Sequence, residues 1–449
     1  MWKSLEFKQS PYDSSPLRPT AEDVDLLVGR QTDAAAFITH LESKRNGVFI
    51  ISGPPGVGKT SFLNTQLFLL ETSQAYFGPK IMAPRKLCPV QPDDTPRDVA
   101  LRALRSLSDS IELYCQTINA DVPKQTKDII KWLAHQGSSG FELGLQVMGF
   151  GGSLGRQFSV PSVSDVSFEH IQDVITCVVD EVIKQFDFKS LVIVLDNVEN
   201  LEDDTLTKML MTFRDTLFTI PDLWWVLIGQ SGLSSLIQSI DPRVAQRMSG
   251  TGLELKPIPL NQLNAAIDKR VTRFHLSGTG KAPLPAAIHK YLYEASHGEL
   301  RFVLKYSESI CINIVQNIRS NVISKGTMTA DNKPIFDKAI GNLLKQGVIP
   351  ESAAIIALKE IVKSELDGFN LKPKELQVLK SIAEKGGARA KDHQIHGVKI
   401  MQDFSGNYLS KLYRQHLLIR QQEGRSVYYK VAGISSLAAE FNLYVMKKV

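Results

Sequence analysis

Cysteine is scarce: Cys88, Cys115, Cys177 and Cys311 are the four in 449 residues, far apart and without a C-x-x-C pair. That spacing argues against a disulfide framework and against a zinc site, and reads as reduced, mostly buried thiols. Long apolar runs are missing too. No stretch reaches the ~18 uninterrupted apolar residues of a membrane span, and no charged head followed by an apolar signal core opens the chain. The expectation is a cytoplasmic protein without membrane contact. Excess charge of one sign is small, a formal net +5, which permits local nucleic-acid contact without demanding it. Repeats and low-complexity tracts are absent. What remains is a globular composition, 43% apolar and 22% charged, long enough for two or three domains.

The strongest local signal is Gly53-Pro54-Pro55-Gly56-Val57-Gly58-Lys59-Thr60, a G-x-x-x-x-G-K-[ST] sequence. The apolar run Gly47–Ser52 precedes it, suited to a buried parallel strand, and helical apolar spacing from Ser61 to Leu70 follows. Main-chain N–H groups of such a loop curl around phosphates, and the helix N-terminus adds its positive end. Lys59 is expected to reach the β- and γ-phosphates of ATP, and the Thr60 hydroxyl to ligate magnesium.

A metal site of this kind needs an acid, and Leu191–Leu195 is an apolar strand ending at Asp196. Asp196 is the candidate to hold magnesium, directly or through water. The next position carries Asn197, whose amide cannot take a proton. Either Glu199 reaches the attacking water or hydrolysis is slow. The plain alternative is a buried strand ending in an Asp-Asn turn.

With these motifs the sequence resembles the AAA+ ATPases, and within them the initiator-like branch of origin-recognition and helicase-loader proteins with their bacterial and archaeal signalling-type relatives. The resemblance runs through residues 15–445 as an order of motifs. It implies an α/β P-loop NTPase, a parallel sheet flanked by helices, followed by a helical lid and a C-terminal winged-helix domain. Asp25–Arg30 is similar to the family's adenine-capping segment, which adds Gly29 and Arg30 to the nucleotide site alongside the loop and Ser61; Gln31 stands where an acid is usual. Gln230, ending the apolar run Leu223–Gly229, falls where the family has its sensor 1. It either contacts the γ-phosphate or lytic water, or caps a turn. The Asp241–Arg247 segment resembles one whose arginine crosses a subunit boundary, with Arg247 the first choice of finger and Arg243 the second; the rival reading is a surface helix start with solvated arginines. Arg301, after His297-Gly298-Glu299-Leu300, resembles sensor 2.

The rest of the chain divides into an N-terminal extension (1–24), a core (25–258), a lid (259–320), a helical linker (321–368) and the winged helix (369–449). Within the core, residues 141–160 alternate apolar with small or polar residues around a Gly-Gly pair and read as an inserted hairpin, either an assembly or substrate-gripping element or one packed on its own domain. In the winged helix, Asn407, Lys411 and Arg414 would face the major groove of double-stranded DNA, and Arg425 at the wing tip would touch phosphate or minor groove. Such modules also dock proteins. Two functions remain. One is a nucleotide-controlled DNA-binding or assembly factor, a homo- or hetero-oligomer whose ATP sites are completed at subunit interfaces. The other is a signalling-type ATPase switch that recruits protein partners.

Overall fold

The computed structural model describes residues 1–73, 78–134, 166–240, 242–248, 250–323, 333–344, 347–423 and 426–444. The expected hairpin at 141–160 and Arg425 lie outside the described residues. The chain divides into two compact units, Pro16–Lys256 and Met1–Ser15 with Pro257–Val449.

The first unit is built on six strands: β1 Gly47–Ser52, β2 Ile81–Met82, β3 Cys88–Pro89, β4 Ser190–Asp196, β5 Leu223–Gly229 and β6 Leu253–Glu254. They run in the order β2-β4-β5-β1-β6, with β3 also paired to β4, and every pair is parallel. β1 and β5 are buried along their whole length, the pattern of a sheet covered on both faces. Alternation along the strands divides the core in two. Val48, Ile50, Ile193, Leu195 and Trp225 pack on one face, whereas Phe49, Ile51, Val192, Val194 and Trp224 pack on the other.

Register places the functional ends together. Ser52 of β1 lies opposite Gly229 of β5, and Leu195 of β4 opposite Leu227. The carboxyl ends of β1, β5 and β4 are therefore level. Connections leave this edge to opposite sides, from β1 out to β2 and from β5 across β1 to β6, the kind of position at which open α/β sheets form ligand crevices.

Helices hold that edge in place. The long helix Pro96–Thr117 begins at a capping box made by Thr95 and Asp98, with Pro96 in its first turn. The helix Lys59–Glu71 leaves the glycine loop and is anchored at its far end. There the buried Glu71 carboxylate accepts a hydrogen bond from Ala83 N (2.8 Å) and pairs with Arg85 (Nη1 at 3.0 Å).

The second unit gathers the helices Leu260–Phe274, Ala286–Ala295, Leu300–Ile323 and Glu351–Gly368, then the winged-helix elements. These are the helix Pro373–Glu384, the helical segment Met401–Arg414, the antiparallel pair β7 Leu418–Glu423 and β8 Ser426–Val431, and the helix Ile434–Glu440. A single core runs through all of them, including Leu263, Ile288, Val303, Leu358, Val378 and Leu437. The first fifteen residues belong here as well: Lys8 N donates to Phe274 O (2.7 Å), Leu276 N donates to Glu6 O (2.8 Å), and the buried Tyr12 hydroxyl meets Leu284 N and His289 Nε2. Among the described residues no helix is long and apolar enough to cross a membrane. All four cysteines are free thiols, and three are buried.

The Glu71–Arg85 pair gives a test of this anchoring. Its side chains are 5% and 17% exposed, so removing one partner leaves a charge stranded in the interior. Glu71→Ala is expected to destabilise the first unit by about 3–5 kcal/mol. Urea unfolding followed by tryptophan emission reads this directly, because Trp132, Trp224 and Trp225 all lie in that unit.

Candidate functional site

The glycine loop owes its path to two positions. At Gly53 a Cβ would come within 2.5 Å of Leu255 O, so only glycine lets the loop leave β1 beside the chain that follows β6. Gly58 takes φ 97° at the start of the helix, and a Cβ there would project into open space. That open side, at the N-terminus of a helix whose first-turn N–H groups point along its axis, is the geometry of an anion cradle. Lys59 extends back over the loop and its Nζ donates to Gly53 O (2.8 Å) and Pro54 O (3.2 Å). Thr60 and Ser61 follow in the first helical turn, half-buried.

The carboxylates come from the end of β4. Asp196 is half-buried and accepts from Asn197 N (3.0 Å). Asn197 adopts a left-handed conformation (φ 59°, ψ 45°) and is exposed, a backbone state that Asn tolerates better than most residues. A 3₁₀ turn over Val198–Asn200 follows, closed by Asn200 N donating to Asn197 O (2.9 Å), and it turns Glu199 back toward β5. Glu199 Oε2 lies so near Gly229 that a Cβ there would be 3.2 Å from it. This oxygen is buried and, among the described residues, has no hydrogen-bond partner. Burial pushes the Glu199 carboxyl above the ordinary glutamate range. Its own backbone N–H and the Lys59 ammonium oppose the rise, and Asp196 adds to it. The glycine loop and the Asp196–Glu199 turn thus share one electrostatic neighbourhood.

The remaining residues singled out in the sequence occupy varied positions. Arg30 is buried and donates to Val57 O (2.9 Å), Lys256 O (2.9 Å) and Asp33 Oδ2 (3.1 Å). Its guanidinium braces the loop from behind. Gly29 precedes it at φ 74°. Gln230 is half-buried directly after β5, and its carbonyl accepts from Leu233 N (3.2 Å). Arg243 and Arg247 are both exposed on the short helix Pro242–Arg247. With Arg214 as the main cause, they hold the Asp215 carboxyl below its ordinary range, so three guanidiniums lie in the field of one carboxylate. Arg301 is exposed in the first turn of Leu300–Ile323, beside Glu299, whose carboxyl burial raises.

Two contacts escaped the sequence reading. Ser61 Oγ accepts from Leu17 N (3.0 Å) and Asn64 Nδ2 donates to Leu17 O (2.9 Å), so the helix after the loop clamps the segment leading to Gly29. Their spacing, two polar residues three apart on one helix face, was the available signal.

Asn407 lies in the segment Phe404–Ser410, and Lys411 and Arg414 in Lys411–Arg414 directly after it. Phe404–Ser410 winds as a π-helix, which rotates the residues after it relative to an α-helical wheel. Lys411 Nζ is bound to the Glu375 carboxylate at 2.5 Å, and Asn407 Nδ2 donates to Asp403 Oδ1 at 2.5 Å. Arg414 is exposed. Lys391, Lys399 and Arg420 are exposed as well and had not been singled out, and neither had Ile395, Ile400 and Met401, which are 61%, 58% and 46% exposed. A segmental charge count would have found the region: residues 369–449 hold 14 Lys and Arg against 6 Asp and Glu, leaving 38 against 41 in the preceding residues. The module carries net +8, more than the whole chain's +5.

No family model matches the chain. An uncharacterized HTH-type transcriptional regulator of Methanocaldococcus jannaschii is 21% identical over 434 residues, covering 95% of this chain and 91% of its own. Solved structures with some likeness include the ADP form of the Aeropyrum pernix ORC2 protein (14% identity, TM-score 0.46, 98% of this chain and 96% of that one). The A. pernix ORC1 protein in complex with DNA is another (14%, 0.41, 95% and 96%), and a RuvB variant of Thermotoga maritima a third (14%, 0.35, 97% and 99%). In its order of motifs, and in a parallel sheet where β5 separates the glycine-loop strand from the Asp196 strand, the chain resembles the initiator-like AAA+ ATPases.

Proposed function

We propose that this chain binds and slowly hydrolyses ATP and acts as a nucleotide-controlled DNA-binding or assembly factor, each ATP site being completed by an arginine from a neighbouring subunit. The observation that carries the reading is the Glu199 carboxylate, turned toward the end of β5 with one buried oxygen unpartnered and with Lys59 and Asp196 in its field. A strand-end turn with no chemistry to do would leave such an oxygen paired or in water.

The roles follow from the chemistry of each group. Main-chain N–H groups of Gly53–Thr60 cradle the phosphates, and Lys59 exchanges its two loop carbonyls for phosphate oxygens. Thr60 and Asp196 are the pair that would hold magnesium, whose charge offsets that of the triphosphate. Asn197 cannot accept a proton, so Glu199 takes the place of the base, with Gln230 beside it as a candidate water or phosphate contact. Arg247, or Arg243 next to it, is exposed as an arginine donated to a neighbour must be, and Arg301 is the lid arginine of the same scheme. The net +8 of residues 369–449 and the match to an HTH-type regulator over 95% of the chain support double-stranded DNA as the winged-helix partner. Arg414 and, at the tip, Arg425 are its candidate contacts, whereas the Glu375 salt bridge makes Lys411 a poorer one.

Four measurements with purified protein test the assignment. Lys59→Ala should abolish nucleotide binding or turnover, while Arg247→Ala should keep nucleotide affinity and lose turnover in the assembled state. Mixing the two variants should recover part of the activity; Arg247→Ala with wild-type turnover removes the finger role. DNA-stimulated turnover with a steep salt dependence is the expected partner result, and nucleotide-driven oligomers indifferent to DNA would favour a signalling switch instead.

Glu199 makes a further pH-dependent prediction. A base whose folded pKa is raised works only above that value, so the acid limb of the turnover profile should lie above the ordinary glutamate range. Glu199→Gln should flatten that limb and lower turnover by about 10²-fold or more. Stability should move the other way. A raised folded pKa means the folded state holds the proton more tightly, so this carboxyl lowers stability as pH rises from its unfolded value through its folded one. Glu199→Gln removes that loss, and its thermal midpoint at neutral pH should equal or exceed wild type.

A further inference from the structure

Three large apolar side chains are exposed where the winged helix turns into its groove-entering segment. Ile395, Ile400 and Met401 all fall within the seven residues 395–401. Their setting is ordered. Ile395 N donates to Asp392 O (3.1 Å), Gly397 N to Gln394 O (2.9 Å) and Val398 N to His393 O (3.0 Å), closing one tight turn. The His393 ring donates through Nδ1 to Val398 O (2.8 Å), and the buried His396 meets Ser381 Oγ of the helix Pro373–Glu384 at 3.0 Å. The His396 and Phe404 rings stack with their centroids 5.3 Å apart. Val398, His396 and Phe404 thus fill the inside of the turn, and Ile395, Ile400 and Met401 are left on the outside.

Single apolar residues scattered over a surface need no explanation, but three gathered at a helix start do. The segment Met401–Arg414 begins here, with Ile400 at its N-cap and no side-chain cap. In a helix-turn-helix the leading end of the recognition helix meets base edges. Two polar side chains further along it are already taken: Asn407 donates to Asp403, and Lys411 is bound to Glu375. The leading end presents Ile400, Met401 and Gln402, all exposed, with Lys391 and Lys399 exposed shortly before them. In a module of net +8 these lysines favour the phosphates of a duplex. The apolar partner that the major groove offers is the thymine C5-methyl, and a glutamine amide suits N6 and N7 of the adenine paired with it.

We propose that Ile400 and Met401, with Ile395 in the preceding turn, are specificity-determining residues that read thymine methyl groups in the major groove of duplex DNA. The inference rests on the functional reading above and names the class of sequence its DNA partner carries, one rich in A·T pairs. Each methyl covered by these side chains leaves water, which is worth about fourfold in affinity. The lysines and Arg414 supply charge that holds any duplex, and the apolar side chains supply discrimination among duplexes.

The test uses the full chain at fixed salt and a fluorescent duplex of A·T pairs in irregular order, prepared with thymine or with uracil, which lacks only the methyl. Wild type should bind the thymine duplex about fourfold or more tighter. A duplex of G·C pairs in irregular order should gain likewise when its cytosines carry a 5-methyl group, which occupies the same groove position. This second pair separates methyl contact from a preference for A·T shape. Ile400→Ser combined with Met401→Ser should bring both ratios toward one while keeping the salt slope of binding and the thermal midpoint, since both side chains are exposed. Ile356→Ser, at an isoleucine exposed on the helix Glu351–Gly368, should leave the ratios at wild type. Equal affinity for methylated and unmethylated duplexes in wild type, or full ratios in the double variant, overturns the inference and leaves the functional reading standing. A chain that binds no duplex at all overturns both. Sedimentation tests the other occupant: self-association that disappears in the double variant, with the ratios unchanged, assigns these side chains to a second copy of the chain and overturns the inference.

Discussion

The parallel register of β1, β5 and β4 is the constraint on which the candidate site depends. Because Ser52 is level with Gly229 and Leu195 with Leu227, three consecutive strand ends deliver the glycine loop, Gln230 and the Asp196 turn to one edge. Trp224 and Trp225 fix that register. They are fully buried on opposite faces, each filling a separate core, so a slip of one residue would exchange the faces of the whole strand and mismatch both cores. The same slip would remove glycine from position 229, where a Cβ would already be 2.6 Å from Leu233 Cδ2 and close to Glu199 Oε2. Packing at the centre of the sheet therefore fixes a carboxylate at its edge.

Legibility in the sequence followed the range of the interaction. The glycine loop, the strands β1, β4 and β5 and the helices after residue 259 were readable because each is specified by its own neighbours, through apolar runs, periodicity and glycine placement. Glu199 was readable only as a candidate. Its approach to β5 depends on a left-handed Asn197 followed by one 3₁₀ turn, and pattern does not foretell a single backbone sign change. Lys411 was singled out on the groove-entering helix of the winged-helix resemblance, and nothing in the sequence foretold that Glu375, thirty-six residues earlier, binds it or that the turn before it is a π-helix. Arg30 was visible as a motif residue, but its bonds reach a carbonyl 226 residues away. The first fifteen residues have no periodicity to read, and their place against Phe274 and Leu276 comes from tertiary pairing alone.

Charge is distributed with the same division of labour. Residues 1–368, which include the glycine loop, carry 38 basic against 41 acidic side chains, whereas the module that follows carries 14 against 6. A uniformly basic chain would attract polyanions everywhere. Confining the excess to one module gives a polyanion one favoured orientation of approach, and the whole-chain value of +5 conceals this.

The exchange of positions between Asn197 and Glu199 has an energetic logic. An acid at 197 would stand in solvent with its backbone N–H already bonded to Asp196, adding a second negative charge beside the first. Two residues further on, the carboxylate is drawn into a half-buried place where its ionised form is disfavoured. Such a carboxyl holds a proton more firmly once it takes one, at a cost in folding stability that neighbouring groups must offset. Lys59 is the cation in its field, and Lys59 is also the group that a triphosphate would draw away from its loop carbonyls. The basicity of Glu199 is thereby tied to whatever Lys59 is bound to, and under the proposed function it would change when a triphosphate engages that lysine.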